Sequence, residues 1–209
     1  VFVMKKIACI VLALLLCLSM AAMAESVPSR TTTDLTTITV AAENMPADAN
    51  FTLTPITEVD PANMTPEMQV RVEACNAEIA KLNESGNAVE YFGEVTDANG
   101  NAVSLTELLG TDEVNVYEFF PLSAEGFEVE YGAVTATMVF STPYEEGQQV
   151  AVLVGIVTEN ADGTQSVAWQ VFDGVGTSAA EGSGIKVTFT PEILEQVQNG
   201  TALMAIVSR

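Results

Sequence analysis

Carboxylates are the reactive side chains that this sequence offers in number, since 28 Asp and Glu occur in 209 residues and histidine is absent. Two close pairs, Glu128 with Glu130 and Glu145 with Glu146, have the residue types of a glycoside hydrolase, in which one carboxyl donates a proton while the other attacks or activates water. That reaction depends on a separation in space that sequence neighbours do not report. We therefore expect no enzyme and keep a histidine-free hydrolase as the alternative.

Other catalytic and cofactor patterns are missing from the sequence. No serine lies in a GxSxG motif, and the glycine-rich GSGIK, residues 182–186, leads into a predicted strand rather than into a phosphate-binding helix N-terminus. Without histidine the chain lacks the usual imidazole base and the usual imidazole metal ligand. We expect no catalytic residue, no cofactor and no metal.

Two oxygen-rich segments have the composition of a calcium loop. In DANGN, residues 97–101, Gly100 is the fourth residue and Leu108 the twelfth, whereas an EF-hand requires Gly sixth and Glu twelfth. The second segment, residues 160–163, ends in the Asp-Gly dipeptide of a hairpin. We predict turns at both places and leave weak calcium binding open.

Aromatic residues are the candidates for a binding surface. Alternation along a predicted strand places Tyr117 and Phe119 on one face, and we single out this pair as a possible contact patch for a protein or glycan. Trp169, the single tryptophan, has the ring that sugar-binding modules stack on sugars. Because Val167 and Val171 share its face of the strand, we predict that it belongs to the core.

The charge balance excludes one class of partner. The formal net charge is −21, from seven Lys and Arg against 28 Asp and Glu. Nucleic acids and anionic lipid surfaces are bound through Lys and Arg that displace counterions. We therefore expect no nucleic-acid partner and attribute the acidic composition to solubility.

Residues 1–24 have the three parts of a secretory signal peptide. Two lysines precede an uncharged run over residues 7–20, and the small-residue motif AMA comes before a polar chain. The run is about 14 residues long, shorter than the roughly 20 that a spanning helix needs. We predict cleavage between Ala24 and Glu25, an extracellular product and no stable membrane insertion after cleavage; an uncleaved anchor is the alternative.

A lipid anchor on Cys17 is a second alternative for this segment. The peptidase that cuts before a lipidated cysteine needs a small residue ahead of it. Leu16 occupies that position, so we interpret Cys17 as one more apolar residue of the signal peptide.

The remaining chain divides into three parts. Residues 25–50 form a Thr-rich linker with a short strand predicted over 36–41, and a glycosylated stalk is the alternative. Residues 51–124 form a helical α+β subdomain, and residues 125–209 form a β-sandwich-like domain.

An amphipathic helix is the clearest predicted element. Thr65 provides a cap, Pro66 fits the first helical position, and the sequence Ser-Gly-Asn at 85–87 ends the helix. Apolar residues at spacings of four and three then fall on one face: Met68, Val72, Cys75, Ile79 and Leu82. We place Glu78 and Lys81 mostly off this face and predict that the Cys75 thiol is buried and inert, since little basic charge is available to lower its pKa.

Shorter elements follow. A capping box of Ser104 with Glu107 predicts a second helix up to Gly110, whereas residues 89–92 and 94–96 are predicted to be extended. From residue 114 onward the apolar period becomes two, which predicts strands. The predicted strands cover residues 134–140, 150–157, 166–172, 185–190 and 202–207. A helical turn is predicted over residues 191–198, before the last of these strands.

Two segments carry a resemblance to a known group of proteins. They are VTATMVFSTPYEEGQQVAVLVGIV, residues 134–157, and IKVTFTPEILEQVQNGTALMAIVS, residues 185–208. They resemble the C-terminal β-rich domain of uncharacterised secreted or surface proteins of Gram-positive bacteria. The resemblance implies an immunoglobulin-like β-sandwich and implies no activity.

Together these observations predict an α+β protein in which an N-terminal amphipathic helix is followed by an antiparallel, immunoglobulin-like β-sandwich. We expect a secreted, acidic, non-catalytic interaction module for a surface protein or glycan. The alternatives are the two-carboxylate hydrolase and an inert structural secreted protein.

Overall fold

The computed structural model of the chain describes residues 35–49, 52–53, 64–140, 144–179 and 182–209. Within these ranges it contains a nine-stranded sheet, a two-stranded sheet and four α-helices. The predicted α+β class is confirmed, and the strands are largely antiparallel. The predicted signal peptide and its cleavage site at Ala24 and Glu25 lie outside the described residues.

The described elements follow one another along the chain in a fixed order. In order they are β1 (Leu35–Ala42), β2 (Thr52–Leu53), α1 (Pro66–Ser85), α2 (Ala88–Phe92), β3 (Glu94–Thr96), β4 (Ala102–Ser104), α3 (Leu105–Leu109), β5 (Asn115–Leu122), β6 (Ala124–Glu125), the 3-10 helix Val129–Tyr131, β7 (Val134–Phe140), β8 (Gln149–Glu159), β9 (Gln165–Ala179), β10 (Gly182–Phe189), α4 (Pro191–Asn199) and β11 (Ala202–Ser208). The large sheet has the order β1-β7-β10-β9-β8-β11-β5, with β3 and β4 attached to β9, and β2 pairs with β6.

Helix α1 begins and ends where the sequence predicts. The Thr65 hydroxyl accepts the Met68 N–H at 3.2 Å, and Pro66 occupies the first turn, where its missing N–H costs nothing. At the other end Gly86 adopts a left-handed conformation with φ of 67° and donates its N–H to the Leu82 carbonyl. The buried residues Cys75 and Leu82 lie on the predicted face.

The prediction of extended backbone over residues 89–92 is wrong. Asn87 caps a new helix there, since its side-chain oxygen accepts the N–H groups of Val89 at 2.8 Å and Glu90 at 3.2 Å. The predictions for α3 and β3 are confirmed, and the capping box of α3 is complete. Short helix α2 therefore follows α1 after a sharp turn.

The middle of the sheet is apolar on both faces. In β8, Val150, Val152 and Val154 pack into an inner core, whereas Ala151 and Leu153 pack into an outer core on the opposite face. Strand β11 is buried along its whole length. Two layers of side chains therefore sandwich these strands, and the central position predicted for β8 is confirmed.

The sheet curls so that its two flanks meet across the inner core. Strands β5 and β7 are separated by four strands, which in a flat sheet would put them roughly 24 Å apart at about 4.8 Å per strand. The rings of Phe120 on β5 and Phe140 on β7 nevertheless have centroids 6.0 Å apart. Helix α4 packs Ile193, Leu194 and Val197 into the same core.

The outer face of the sheet is divided into two halves. Over β5, β11 and β8, helices α1 to α3 cover it, and we call this the helix-covered half. Beyond it, over β10, β7 and β1, the same face carries half-buried and exposed polar residues, and we call this the threonine half: Thr39, Thr135, Thr137, Lys186 and Thr188.

Candidate functional site

A buried carboxylate lies among the helices over the helix-covered half. Glu78 of α1 is 5% exposed, accepts a hydrogen bond from the Tyr91 hydroxyl of α2, and lies 2.5 Å from the Lys81 ammonium. Tyr91 also packs its ring edge-on against Phe92 and Phe119. The carboxylate is thus satisfied by two donors, as a buried charge requires.

Tyr91 is the group whose ionisation is most perturbed. Burial raises its pKa well above the ordinary value, and the hydrogen bond to Glu78 raises it further because an anionic carboxylate opposes a second negative charge. The indole of Trp169 acts in the opposite direction. Tyr91 is therefore a hydrogen-bond donor at neutral pH, which ties α1 to α2.

The sequence prediction placed Glu78 mostly off the buried face, and the structure corrects it. Position 78 follows Cys75 by three residues and precedes Leu82 by four, so it has the same spacing as the apolar stripe. Lys81, 50% exposed, covers it from the solvent side. A Glu within an apolar stripe, followed three residues later by Lys, was the available signal.

An open polar cleft lies at the α1–α2 turn. Its volume is about 720 Å³, and three segments line it: Gly86, Asn87 and Ala88 at the α1–α2 turn, residues 111–115 before β5, and Arg209. Asp112 and Glu113 are exposed on one wall, and Arg209 is also exposed. No aromatic ring is among these lining residues.

The acidic wall of the cleft is held by local hydrogen bonds. Thr106 of α3 donates its hydroxyl to the Asp112 carboxylate at 2.8 Å, and the Glu113 N–H donates to the Thr111 hydroxyl at 3.1 Å. Both carboxylates keep acceptor capacity toward solvent, since each has two oxygens. The cleft can therefore accept hydrogen bonds from a cationic or hydroxyl-bearing ligand.

The structure separates the two predicted binding residues. In β5, Val116 pairs with Val207 while Glu118 pairs with Ile206, so Tyr117 is the extra residue of a bulge. Phe119 consequently faces the outer core and is 3% exposed, whereas Tyr117 faces the inner core. The alternation that placed both on one face does not hold through the bulge.

Each of these rings is engaged by other rings. Tyr117 lies 5.5 Å from Tyr144, and Phe119 lies 5.9 Å from Trp169, measured between centroids. Trp169 is half-buried against the outer core, and Gly155 on the neighbouring strand makes room for it, since a Cβ there would lie 2.7 Å from the indole. The sequence predicts that Trp169 belongs to the core, and it does pack against the outer core, but it is half-buried rather than buried.

The acidic pairs considered for hydrolysis lie at the surface. Glu128 precedes the 3-10 helix and Glu130 lies within it, whereas Glu145 and Glu146 precede β8; all four are exposed. The Glu146 carboxylate accepts a hydrogen bond from Ser178. These acids thus lie in two separate turns of the chain.

The two oxygen-rich turns use their carboxylates locally. Asp97 accepts the N–H groups of Asn99 and Asn101, both at 2.8 Å, and Asp162 accepts from Thr164. The side-chain hydrogen bond from Asn101 lowers the pKa of Asp97 most, and the Thr164 hydroxyl has the same effect on Asp162. The turn predictions are confirmed, and the described residues hold no cluster of three His, Cys, Asp or Glu suited to a metal.

Comparisons with known proteins identify no relative of this chain. Among the helices that the structure describes, none combines the length and apolarity needed to cross a membrane. No protein-family model, no curated protein and no solved structure matches the chain.

Proposed function

We propose that the protein is a secreted, non-catalytic interaction module that binds a basic segment of a protein partner in the cleft between the α1–α2 turn and residues 111–115. The observation that carries this proposal is the composition of the cleft wall, where Asp112 and Glu113 are exposed and aromatic side chains are lacking. Carboxylates suit Lys and Arg side chains.

Protein is favoured over glycan as the ligand for a physical reason. Sugar sites commonly stack a ring of the ligand on an aromatic side chain, and no ring is among the described residues that line the cleft: Phe119 is buried and Trp169 packs on Phe92 and Phe119. The net charge of −21 adds a long-range attraction for a cationic partner. A surface glycan remains the alternative ligand.

The experiment compares two double variants with equal charge loss. Asp112→Asn/Glu113→Gln changes the cleft, and Glu145→Gln/Glu146→Gln is the matched control away from it. Binding of a fluorescent lysine-rich peptide is measured by anisotropy, in parallel with a panel of neutral oligosaccharides. We expect the cleft variant to lose about tenfold or more in affinity, because two direct ion pairs are removed, and the control to lose much less.

Three results would contradict the proposal. Equal losses in both variants would mean that the peptide responds to net charge alone. Oligosaccharide binding that depends on the cleft would favour the glycan alternative, and hydrolysis of an oligosaccharide by the wild type would favour the two-carboxylate enzyme.

Two further parts of the interpretation remain proposals. The membership of the Gram-positive surface-protein group rests on the segments at residues 134–157 and 185–208. The immunoglobulin-like sandwich is supported by the packing of two sheet flanks across one inner core, in which Phe120 contacts Phe140.

A further inference from the structure

The two edges of the large sheet differ in their protection. Strand β5 carries Pro121, which has no N–H to donate, and helix α1 packs against this strand. Strand β1, LTTITVAA, contains no proline, glycine or charged residue. Among the described residues, β1 pairs only with β7, so the backbone groups on its other side form a template for a further strand.

The inner core is also incomplete at β1. Ile38, Val40 and Ala42 pack against this core but are only half-buried, whereas Ala136 and Met138 beside them on β7 are fully buried. Among the described strands, none continues this apolar row beyond β1. A strand that carries apolar residues at every second position would extend this row.

We propose that β1 pairs antiparallel with β1 of a second copy of this chain across a two-fold axis. The same strand then supplies both the backbone partners and the apolar row, and the contact closes at two copies because it is isologous. Both copies carry a charge of −21. An uncharged strand is the place where they meet with least repulsion.

The register can avoid facing like charges. Asp34 precedes β1 and Glu43 follows it in the sequence. Pairing centred on Val40 places Glu43 opposite Thr37 of the second copy and Thr39 opposite Ala41. Ile38 then meets Ala42, so apolar side chains continue the inner core across the axis.

The expected dimer is weak and responds to salt in a characteristic way. One pair of short strands buries less than the roughly 1,200 Å² of a stable interface. Dimerisation therefore depends on protein concentration, and added salt strengthens it by screening the repulsion between the acidic copies. Binding of a basic peptide in the cleft weakens with salt, so the two proposals fail independently.

The test uses opposite charges on the exposed side chains of β1. Thr39→Glu/Ala41→Glu and Thr39→Lys/Ala41→Lys each place like charges across the axis in the homodimer, and Thr158→Glu on the exposed end of β8 is the control. Sedimentation velocity is measured over a range of concentrations at low and at about 0.5 M salt. We expect each double variant to weaken dimerisation by about tenfold, the control to leave it unchanged, and an equal mixture of the two double variants to restore it.

Hydrogen exchange of the wild type gives a second readout that needs no variant. Protection of the β1 amides should rise with protein concentration, while that of the central strand β8 should not change. Protection of β1 that is already complete at the lowest concentration would overturn the proposal, because another part of the chain would then cover the edge. A wild type that stays monomeric at high concentration and salt would overturn it as well, as would a mixture that does not restore pairing.

Discussion

The helix-covered half and the threonine half lie on the same face of one sheet, yet they are stabilised in different ways. On the helix-covered half, Leu105 of α3 and Leu153 of β8 are fully buried between the helices and the sheet. On the threonine half, Thr137 lies in a cross-strand row between Thr39 and Lys186 and contacts solvent. The difference follows from what the chain places above each half, because all the helices of residues 66–109 lie over β5, β11 and β8.

The comparison shows that strands of one sheet can be buried on both faces or on one face only. On the helix-covered half both residues of each repeat are apolar, as in β8 and β11, so the strands have two buried faces. On the threonine half the inner residues are apolar, whereas most outer residues are polar and reach solvent, and hydroxyls pair across strands, as those of Thr135 and Thr188 do at 2.9 Å. Stability should therefore respond very differently to truncation on the two halves.

The largest expected effect tests this contrast directly. Leu105→Ala removes the fully buried side chain that α3 packs into the outer core and should lower the free energy of unfolding by about 2–5 kcal/mol. Thr137→Ala on the threonine half should change it by at most ~0.5 kcal/mol. Urea unfolding with an unchanged m-value is the measurement, and similar losses in both variants would remove the distinction between the halves.

Near the threonine half, the position at which a substitution should lower stability is a glycine, Gly176 of β9. A Cβ at Gly176 of β9 would lie 2.1 Å from the Glu145 carbonyl oxygen, because the turn before β8 hydrogen-bonds back to this strand. Gly176→Ala should destabilise the protein by about 1–3 kcal/mol. Val175→Ala, at an exposed neighbour, is the control and should stay near zero in the same thermal or urea measurement; an equal loss in both would contradict the close approach.

The hydrogen bond between Tyr91 and Glu78 should have an intermediate effect. Tyr91→Phe keeps the ring against Phe92 and Phe119 but removes one of the donors of a buried carboxylate. We expect a loss of about 1–2 kcal/mol. Tyr117→Phe is the matched control in another half-buried tyrosine, and a loss there as large as in Tyr91→Phe would mean that the hydroxyl of Tyr91 contributes nothing specific.

The smallest expected effect is a pH dependence of the helix-covered half. Burial and the Glu78 carboxylate raise the pKa of Tyr91 in the folded state, whereas an unfolded tyrosine ionises near pH ~10. Folding therefore favours the neutral form of Tyr91. The contribution of Tyr91 to the free energy of unfolding is intact below about pH 10 and is lost as pH rises toward the pKa of Tyr91 in the folded state. Stability measured by urea unfolding should fall less steeply above pH ~10 in Tyr91→Phe than in the wild type; parallel curves would contradict this assignment.

Much of the local structure could be predicted from the sequence because local signals specify it. Thr65, Pro66 and Gly86 define α1 through its caps, and Asp162 with Gly163 defines the β8–β9 turn. Helix α2 could not be predicted, because Val89 to Phe92 favour extended backbone and only the Asn87 cap and the packing of Phe92 favour a helix.

The site was harder to predict than the fold for two physical reasons. The cleft is formed by Asn87, Asp112 and Arg209, which lie far apart in the sequence and meet only in three dimensions. The bulge at Tyr117 shifts the alternation by one residue, and nothing in the sequence of β5 marks it as a bulge. Pairing between β1 and β7 is likewise a long-range contact that periodicity alone cannot indicate.

The strand order of the sheet has a kinetic consequence. Strand β1 cannot pair until β7 has been synthesised, because Leu35 pairs with Phe140. Strand β5 likewise pairs with the later strand β11, in which Met204 lies opposite Phe120. The doubly buried centre therefore needs β11, which lies between β8 and β5. The core cannot close before β11 has been synthesised, and such long-range pairing predicts slow folding.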